Sequence, residues 1–418
     1  MNLPDMIRRV EHELHVEEVA LSEVAARFGT PCYVYSKAAL TLAYREFSEA
    51  FTGRDVLICY AVKANSNLAI LDLYAKLGAG FDIVSEGELA RVLAAGGDPR
   101  KVVFSGAGKR AEEMRAALAH NILCFNVESQ PELLRLSGVA NEMGARAAVS
   151  LRVNPDVDPK THPYIATGLK QNKFGVAIEE ALVLYRVARQ LPSIDMVGID
   201  CHIGSQITDI APFSDALEKL LQLVDKLEHE GIALHHLDLG GGIGIRYKDE
   251  QPIKIQHYAD TLMGLLGSRR QQLIFEPGRS FVGNAGLLLT RVEYIKQGGD
   301  RRFAIVDAAM NDLIRPALYD AYHEIVNVSP SANAESVQYD IVGPVCESGD
   351  FLGRDRTLAI APGDLLAVLS TGAYGSVMSS NYNTRPRATE VMIDGATMHL
   401  IRSRERLEDL YAGEHLLP

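Results

Sequence analysis

The stretch Val56-Leu57-Ile58-Cys59-Tyr60-Ala61-Val62-Lys63-Ala64-Asn65 places a lysine just after an apolar run, Val56–Tyr60, that is typical of a buried strand. Burying an ammonium group is costly, so lysine is rarely placed at such a position for packing alone. A lysine held neutral there is a nucleophile that can form a Schiff base with an aldehyde such as pyridoxal phosphate. A surface lysine whose aliphatic stem covers apolar residues is the alternative, and this window alone does not separate the two.

Seven further apolar runs follow at regular spacing and alternate with amphipathic, helix-like segments. The eight predicted strands are Val56–Tyr60, Phe81–Val84, Val102–Phe104, Leu123–Val127, Ala147–Val153, Met196–His202, Leu234–Leu239 and Gln272–Glu276. Eight strand–helix steps over roughly 250 residues are the signature of a (β/α)8 barrel. An open doubly wound sheet is the competing fold, but eight regularly spaced strands favour closure. The prediction is an α/β fold with a TIM-like barrel over residues 36–280.

The character of the sequence changes after residue 280, where strand-like runs are separated by Gly and Pro turns and helices are few. The predicted strands are Leu287–Ile295, Arg302–Asp307, Ser336–Val342, Leu365–Leu369 and Glu390–Ile393. This pattern predicts a C-terminal β-rich domain, sandwich-like or barrel-like, over residues 281–418. Residues 1–35 precede the barrel and are predicted to pack with this domain.

Composition narrows the classes of partner. The 418 residues carry a formal net charge of -12, which argues against nucleic acid or an anionic membrane as the main partner. No apolar run approaches the length needed to cross a bilayer, and the N-terminal residues lack the apolar core of a signal peptide. The five cysteines are scattered, with no CxxC spacing, which fits free thiols in a reducing cytosol and no zinc site. We therefore predict a cytoplasmic protein without a metal centre.

Polar residues cluster directly after the predicted strands. They are Lys63, Ser85, Asn154, His202 with Ser205, the glycine run Gly240–Gly244, and Glu276 to Arg279. Loops that follow barrel strands converge on the C-terminal face, where barrel enzymes place their active sites. This placement predicts that the chain is an enzyme.

Each of these groups has a chemical interpretation and a plainer one. The backbone N–H groups of Gly240–Gly244 can approach a phosphate, although glycine-rich turns are common. Glu276 can keep a pyridine nitrogen protonated, or can form a surface ion pair. His202 can stack on a flat cofactor while Ser205 donates to its phosphate, but a lone histidine is more often structural. Cys346, beside Glu347, can protonate a carbanion, or can be a buried cysteine next to a turn.

One long polar loop interrupts the barrel pattern. The segment Asp156–Gly175 contains His162 and Lys173 and is long for a loop of this fold. It is a candidate lid over the site, although charged loop residues are usually just solvated.

The ordered set of motifs resembles the diaminopimelate decarboxylases, a family of the alanine-racemase-like (fold type III) pyridoxal-phosphate enzymes. The resemblance spans essentially the whole chain. Its motifs are Tyr60-Ala61-Val62-Lys63-Ala64-Asn65, His202-Ile203-Gly204-Ser205-Gln206, Gly240-Gly241-Gly242, Glu276-Pro277-Gly278-Arg279, Asp312-Leu313-Ile314-Arg315-Pro316-Ala317-Leu318-Tyr319, Cys346-Glu347-Ser348-Gly349-Asp350 and Gly372-Ala373-Tyr374-Gly375. Each motif is weak alone, but the set in this order is highly specific.

The resemblance implies a role for each matched residue. Lys63 is expected to hold pyridoxal phosphate covalently, and the other cofactor-binding residues are expected to be Asp82, His202, Ser205, Gly242, Glu276, Gly278, Arg279 and Tyr374. The distal carboxylate of meso-diaminopimelate is expected to bind Arg279, Arg315 and Tyr319, and its distal ammonium is expected to bind Glu347. Tyr374 is expected to contact both the phosphate and the substrate. Cys346 matches the proton donor. A homodimer that completes each site with the partner's β-rich domain is also implied, and the product is expected to be L-lysine.

Three alternatives to a diaminopimelate decarboxylase stay open. A decarboxylase of ornithine, arginine or a carboxylated polyamine has the same fold, but a substrate ending only in a cation gives no reason for Arg315. An amino acid racemase usually has a less electron-withdrawing partner for the pyridine nitrogen than Glu276. A catalytically inactive cofactor-binding or regulatory protein would have no need of Lys63, Cys346 and Glu347.

Overall fold

The computed structural model describes residues 6–158, 173–330 and 334–418. The chain divides into two compact units. One comprises Ala43–Ile245 and Gln251–Ser280, and the other comprises the described residues of Met1–Leu42, Arg246–Glu250 and Phe281–Pro418. Most of the predicted lid, including His162, lies outside the described residues.

The described N-terminal residues form short strands and two helices. They are β1 (Ile7–Val10), β2 (Glu13–Val16), β3 (Val19–Ala20), α1 (Leu21–Phe28), β4 (Cys32–Ser36) and α2 (Lys37–Ala50). The strands β1, β2 and β3 form a small antiparallel sheet. Their buried apolar side chains belong to one core cluster with β4 and with strands from the C-terminal part of the chain.

The unit around Lys63 is a closed parallel barrel. Its strands are β5 (Val56–Ala61), β6 (Gly80–Ile83), β7 (Val102–Phe104), β8 (Cys124–Val127), β9 (Ala147–Asn154), β11 (Ile194–Asp200), β12 (His236–Asp238) and β13 (Gln272–Phe275), with a two-residue strand β10 (Val176–Ala177) beside β9. Each strand pairs in parallel with its neighbour, β13 pairs with β5, and β8 pairs with β9 to close the ring. All eight predicted barrel strands are present.

Helices connect these strands around the barrel. They are α3 (Leu68–Leu77), α4 (Glu86–Ala94), α5 (Ala111–Ala119), α6 (Gln130–Glu142), α7 (Ile178–Ala188), α8 (Ala211–His229) and α9 (Ile255–Leu266). They bury one apolar face each, as helices that cover a parallel sheet must. The result is that every strand leads into its loop at the same end of the barrel.

The other unit is built mainly from strands. After the short helix α10 (Arg279–Val282) come β14 (Gly286–Gly298), β15 (Arg301–Val306), α11 (Arg315–Tyr319), β16 (Ile325–Asn327), β17 (Ser336–Val342), β18 (Phe351–Ala359), β19 (Leu365–Val368), β20 (Thr389–Asp394) and β21 (Thr397–Arg402). Seven of its strands follow the order β18-β17-β15-β14-β4-β20-β21, while β16 and β19 pair with each other and β19 also with β14. The predicted β-rich C-terminal part is confirmed.

The strands β16, β18 and β21 were not predicted. Phe351–Ala359 carries Arg354, Asp355 and Arg356, and half of the residues of β21 are exposed, so neither has an apolar run. In the described ranges, no helix combines the length and the apolar composition that crossing a membrane requires.

Candidate active site

Lys63 lies in a single 3-10 turn, Val62–Ala64, directly after β5. Its Nζ is 2.5 Å from Oδ2 of Asp82, which is fully buried on the neighbouring strand β6. The Lys63 side chain is 35 % exposed. The structure thus gives Lys63 an ionic partner and access to solvent, in place of the buried apolar surroundings that its strand suggested.

Glu276 follows β13 and is nearly fully buried. Its Oε1 accepts hydrogen bonds from Ser105 Oγ at 3.3 Å and from Asn126 Nδ2 at 3.2 Å. Asn126 Nδ2 also donates to Ser105 Oγ at 3.1 Å, so the three side chains form one connected group. These residues come from the ends of three different barrel strands, which is how such a fold assembles a site.

Two more carboxyl groups crowd Glu276. Asp200, Asp238 and Glu276 each offer one oxygen, and these oxygens all lie within 4.8 Å of one another. The cause is the register of the barrel, because Asp200 pairs with Asp238 across β11 and β12. Arg152, the register partner of Asp200 on β9, brings its Nε to 3.8 Å from Asp200. These buried carboxyl groups therefore lie close enough to one another to shift each other's pKa.

Burial and mutual repulsion raise the pKa values of these three carboxyl groups. Burial, followed by the charge of Asp238, holds the pKa of Glu276 well above its usual value. Burial raises the pKa of Asp238 to about 6, with the charge of Asp82 acting in the same direction. Burial and the charge of Asp238 also hold the pKa of Asp200 well above its usual value. The carboxyl group therefore exchanges protons in a pH range where an ordinary carboxyl is already ionised.

His202 and the glycine run lie beside each other after β11 and β12. The N–H of Gly241 donates to His202 Nδ1 at 3.1 Å, so the neutral imidazole carries its proton on Nε2. Desolvation, with the charges of Arg152 and Lys63, holds the pKa of His202 well below its usual value. A neutral, fixed imidazole is suited to stacking on a flat ring.

The glycine run is shaped by close backbone contacts. Gly242 has φ +110°, and a Cβ there would lie 2.4 Å from the Gly204 carbonyl oxygen. The loops are joined where Ile207 N–H donates to Gly242 O at 2.9 Å. Only glycine allows the two loops to approach this closely.

Arg279 and Ser205 meet beside this loop. Arg279 is largely buried, and its Nε and Nη2 donate to Ser205 Oγ at 3.2 and 3.1 Å. Gly278 packs against the turn of Lys63, since a Cβ on it would lie 3.1 Å from the Cβ atoms of Ala61 and Ala64. The barrel unit thus brings together the predicted residues Lys63, Asp82, His202, Ser205, Gly242, Glu276, Gly278 and Arg279 at the C-terminal ends of its strands.

These residues fit pyridoxal phosphate. Lys63 would supply the amine, Glu276 an acid for the ring nitrogen, His202 a flat surface and Gly242 a close backbone approach to the phosphate. A further observation supports the fit: within the described part of the chain, the buried Oδ1 of Asp82 has no hydrogen-bond partner. Buried polar atoms are almost always paired, so this oxygen is available to a bound molecule.

Arg315 and Tyr319 lie on α11 in the other unit, four residues apart and therefore on one face of the helix. Arg315 is largely buried, and its Nη1 lies 2.9 Å from His323 Nε2. Its guanidinium carbon is 4.7 Å from the centre of the Tyr247 ring. The position of Arg315 is thus well determined, as a binding group for a carboxylate should be.

Cys346 and Glu347 lie in an exposed turn before β18. The turn is anchored by Asp350, whose Oδ2 accepts from Val345 N–H at 2.7 Å, and by Asn383, whose Oδ1 accepts from Cys346 N–H at 3.0 Å. The thiol predicted from sequence to be either a proton donor or a buried packing residue is exposed.

Tyr374 lies in the loop after β19 with φ 55°, in the left-handed region that a tyrosine seldom adopts. The preceding Gly372 is required by packing, because a Cβ there would lie 1.9 Å from the Val282 carbonyl oxygen. Strained backbone that is held by its surroundings is common at functional sites.

In each of the two units, some residues that surround the predicted ones were not predicted from sequence. They are Ser105, Asn126, Arg152, Asp200, Asp238, Tyr247 and His323. The signal for Asn126, Asp200 and Asp238 was present, since each is a polar residue within a predicted apolar strand. Nothing in the sequence near His323 indicates its contact with Arg315.

Comparison with known proteins gives a consistent result. The family described as pyridoxal-dependent decarboxylase, pyridoxal binding domain, matches residues 37–283. The chain is 61% identical to the diaminopimelate decarboxylase of Pseudomonas aeruginosa over 406 residues, covering 97% of this chain and 98% of the relative. It is 57% identical to that of Vibrio cholerae, with 97% of each chain covered.

A solved structure agrees with these sequence relatives. The crystal structure of diaminopimelate decarboxylase from Helicobacter pylori, complexed with L-lysine, has a TM-score of 0.91 and 45% identity to this chain. The match covers 94% of this chain and 98% of the Helicobacter pylori chain.

Proposed function

Because the chain belongs to the diaminopimelate decarboxylases, within the pyridoxal-dependent decarboxylases, we propose that it converts meso-2,6-diaminopimelate to L-lysine and CO2. The observation that carries the proposal is the joint placement of Lys63 and the buried carboxyl group of Glu276 at one end of the barrel. An amino acid racemase usually has a less electron-withdrawing partner for the ring nitrogen and gives no comparable reason for Glu276.

The cofactor pocket is formed by barrel residues. Lys63 would bind the cofactor aldehyde, Glu276 would serve the ring nitrogen, His202 would cover the ring, and Gly242 with Ser205 would hold the phosphate. Asp82, Gly278, Arg279 and Tyr374 complete the pocket. When bound, pyridoxal phosphate supplies the electron-withdrawing ring that accepts the electron pair of the breaking Cα–carboxylate bond.

The second unit recognises the end of the substrate that does not react. Meso-diaminopimelate carries an amino and a carboxylate group at each end, so its recognition needs both a cation and an anion. Arg279 and Arg315, with the hydroxyl of Tyr319, bind the distal carboxylate, and Glu347 binds the distal ammonium. The buried, doubly contacted guanidinium of Arg315 supports this assignment.

Cys346 completes the reaction by proton transfer. Loss of CO2 leaves an electron pair on Cα, and the Sγ proton of Cys346 moves to that carbon. The exposure of Cys346 and Glu347 supports their use by a second copy of the chain, so we propose a homodimer with shared sites. The domain of residues 1–35 and 281–418 then supplies substrate contacts and the dimer interface to the barrel of residues 36–280.

We further propose that the protein acts in the cytoplasm on this small molecule, without nucleic acid or membrane as a partner. The five free cysteines, four of them buried, support a reducing compartment.

The test is CO2 release from purified protein supplied with pyridoxal phosphate. Meso-diaminopimelate, L-ornithine and L-arginine are assayed in parallel, and the products are separated to detect epimerised substrate. Release from diaminopimelate alone, with equimolar L-lysine, is the expected result. Release from ornithine or arginine would overturn the assignment of the distal site, and epimerisation without CO2 would overturn the reaction.

A further inference from the structure

His323 is a fully buried histidine that no predicted role includes. It lies between α11 and β16, and both of its ring nitrogens have partners. Nδ1 is 2.9 Å from the carbonyl oxygen of Leu369, and Nε2 is 2.9 Å from Nη1 of Arg315. The ring therefore links the backbone after β19 to the guanidinium on α11.

The identity of these partners determines the protonation of the ring. A carbonyl oxygen only accepts, so Nδ1 of His323 carries a proton. A guanidinium only donates, so Nε2 must offer its lone pair to Arg315. His323 is thus a neutral Nδ1–H imidazole that acts as a hydrogen-bond acceptor for a buried cation. An imidazolium would place an N–H against the N–H of Arg315 and lose that bond.

The frame that holds the ring is made of paired strands. Ile325 pairs with Val368 across β16 and β19, and Leu369 N–H donates to Glu324 O at 2.8 Å. The carbonyl oxygen of His323 accepts from Arg356 Nη2 at 3.1 Å. Backbone on both sides of the imidazole is therefore fixed by hydrogen bonds.

The ring of Tyr247 also contacts the Arg315 guanidinium. Its ring centre is 4.7 Å from the Arg315 guanidinium carbon and 5.3 Å from the His323 ring, which it meets at 83°. The guanidinium is therefore contacted by both the Tyr247 ring and the imidazole, and the two contacts together restrict its orientation.

We propose that His323 is a positioning residue that orients Arg315 so that its remaining N–H groups meet the distal carboxylate of the substrate. The proposal rests on the role of Arg315 in the proposed function. The imidazole accepts one N–H of the guanidinium, and because the donors of a guanidinium form a rigid fork, this bond fixes the directions of the others. His323 therefore sets specificity for a distal carboxylate without touching the substrate.

Two ligands, one with the distal carboxylate and one without it, can show whether His323 acts on Arg315 or only on the stability of the fold. Decarboxylation removes the carboxylate at one end of diaminopimelate, so L-lysine keeps the distal one. Cadaverine, which is 1,5-diaminopentane, has no carboxylate. If Arg315 loses its orientation, the protein should bind diaminopimelate and L-lysine more weakly, whereas its affinity for cadaverine should stay the same.

Two variants divide the functions of the ring. His323→Asn places an amide near the position of Nδ1 and can keep the contact to Leu369 O, but it does not reach Arg315. His323→Gln places an oxygen near the position of Nε2 and can still accept from Arg315. The experiment measures inhibition constants of L-lysine and cadaverine on the holoenzyme, KM and kcat for diaminopimelate, and the melting temperature of each variant.

We expect His323→Asn to raise KM and the L-lysine inhibition constant roughly ten-fold, as for loss of a hydrogen bond to a charged group, with kcat changed less. His323→Gln should stay within about three-fold of the wild type, because it keeps the acceptor. Cadaverine inhibition should be unchanged in both.

Two results would overturn the positioning role: an equal loss of L-lysine affinity in both variants, or an equal loss of cadaverine and L-lysine affinity in one variant. If His323→Asn does not fold, a ten-fold loss of L-lysine affinity in a folded His323→Gln protein would overturn it as well. Failure of the proposed function is recognised separately, because the wild-type protein would then release no CO2 from diaminopimelate.

Discussion

Asp238→Asn should change how the stability of the cofactor-free protein depends on pH. Asp238 is fully buried at the end of β12, within 4.8 Å of oxygens from Asp200 and Glu276. Its Oδ1 accepts from Gly240 N–H at 2.9 Å, and an asparagine oxygen can keep that bond. The substitution therefore removes a charge from the cluster with little change in shape, although the 3.4 Å hydrogen bond from Asn126 Nδ2 to Asp238 Oδ2 is lost at every pH.

The magnitude follows from the shift in acidity. Burial raises the pKa of Asp238 from the ordinary 3.8 to about 6, with Asp82 adding to the shift and the Gly240 N–H opposing it. The raised pKa of Asp238 contributes to the free energy of unfolding in full below pH 3.8, and this contribution is lost as the pH rises through 6. Two units of pKa correspond to about 3 kcal/mol of unfolding free energy, of which roughly 1–2 kcal/mol is lost between pH 5 and pH 8.

The assay is urea unfolding of cofactor-free protein at pH 5, 6, 7 and 8. From pH 5 to pH 8 the wild type should lose the contribution of Asp238, whereas Asp238→Asn has none to lose. The unfolding free energy of the variant should therefore rise by roughly 1–2 kcal/mol relative to that of the wild type over this range. Affinity for pyridoxal phosphate should fall in parallel, since a negative charge is lost near the site of the ring nitrogen. Asp72→Asn, on the surface helix α3, is the matched control. A constant difference across this pH range would refute the electrostatic account of the cluster.

The remaining predictions concern single contacts. Lys63→Ala should abolish covalent cofactor attachment, seen as lost visible absorbance, and CO2 release, whereas Lys76→Ala on the surface of α3 should retain both. Gly241→Ala should lower cofactor affinity, measured by titration, because its Cβ would lie 2.1 Å from a backbone oxygen at the end of β13. Gly264→Ala in α9 has open space and should stabilise by about 0.5–1 kcal/mol in urea unfolding. Lys109→Met should cost about 3–5 kcal/mol in the same measurement, because it leaves a buried carboxylate of α6 unpaired.

Much of the fold could be predicted because buried parallel strands are continuous apolar runs. Val56–Tyr60 and Gln272–Glu276 were placed within one residue of β5 and β13, although they pair across more than 200 positions of sequence. Strands with one solvated face lack that signal. For this reason Phe351–Ala359, with its three consecutive charged residues, was not recognised as β18.

The candidate site could be predicted only in part, for a similar reason. Lys63, His202 and Glu276 follow apolar strands, so the fold itself predicts their convergence. Asn126 and Asp238 lie within such strands, and whether a side chain there faces the barrel interior depends on register. His323 contacts Arg315 through a strand pairing that no local pattern encodes.

The amino-acid sequence by itself determined the alternation of strands and helices, the β-rich C-terminal part, and the chemical groups that stand at strand ends. These follow from local patterns of apolar and polar residues, which act over a few turns or a single strand. Tertiary structure alone decided that Asp200, Asp238 and Glu276 crowd into one buried group, and that a neutral imidazole holds Arg315. Both depend on which strands become neighbours and in what register, because burial and the distance between charges are properties of the assembled chain.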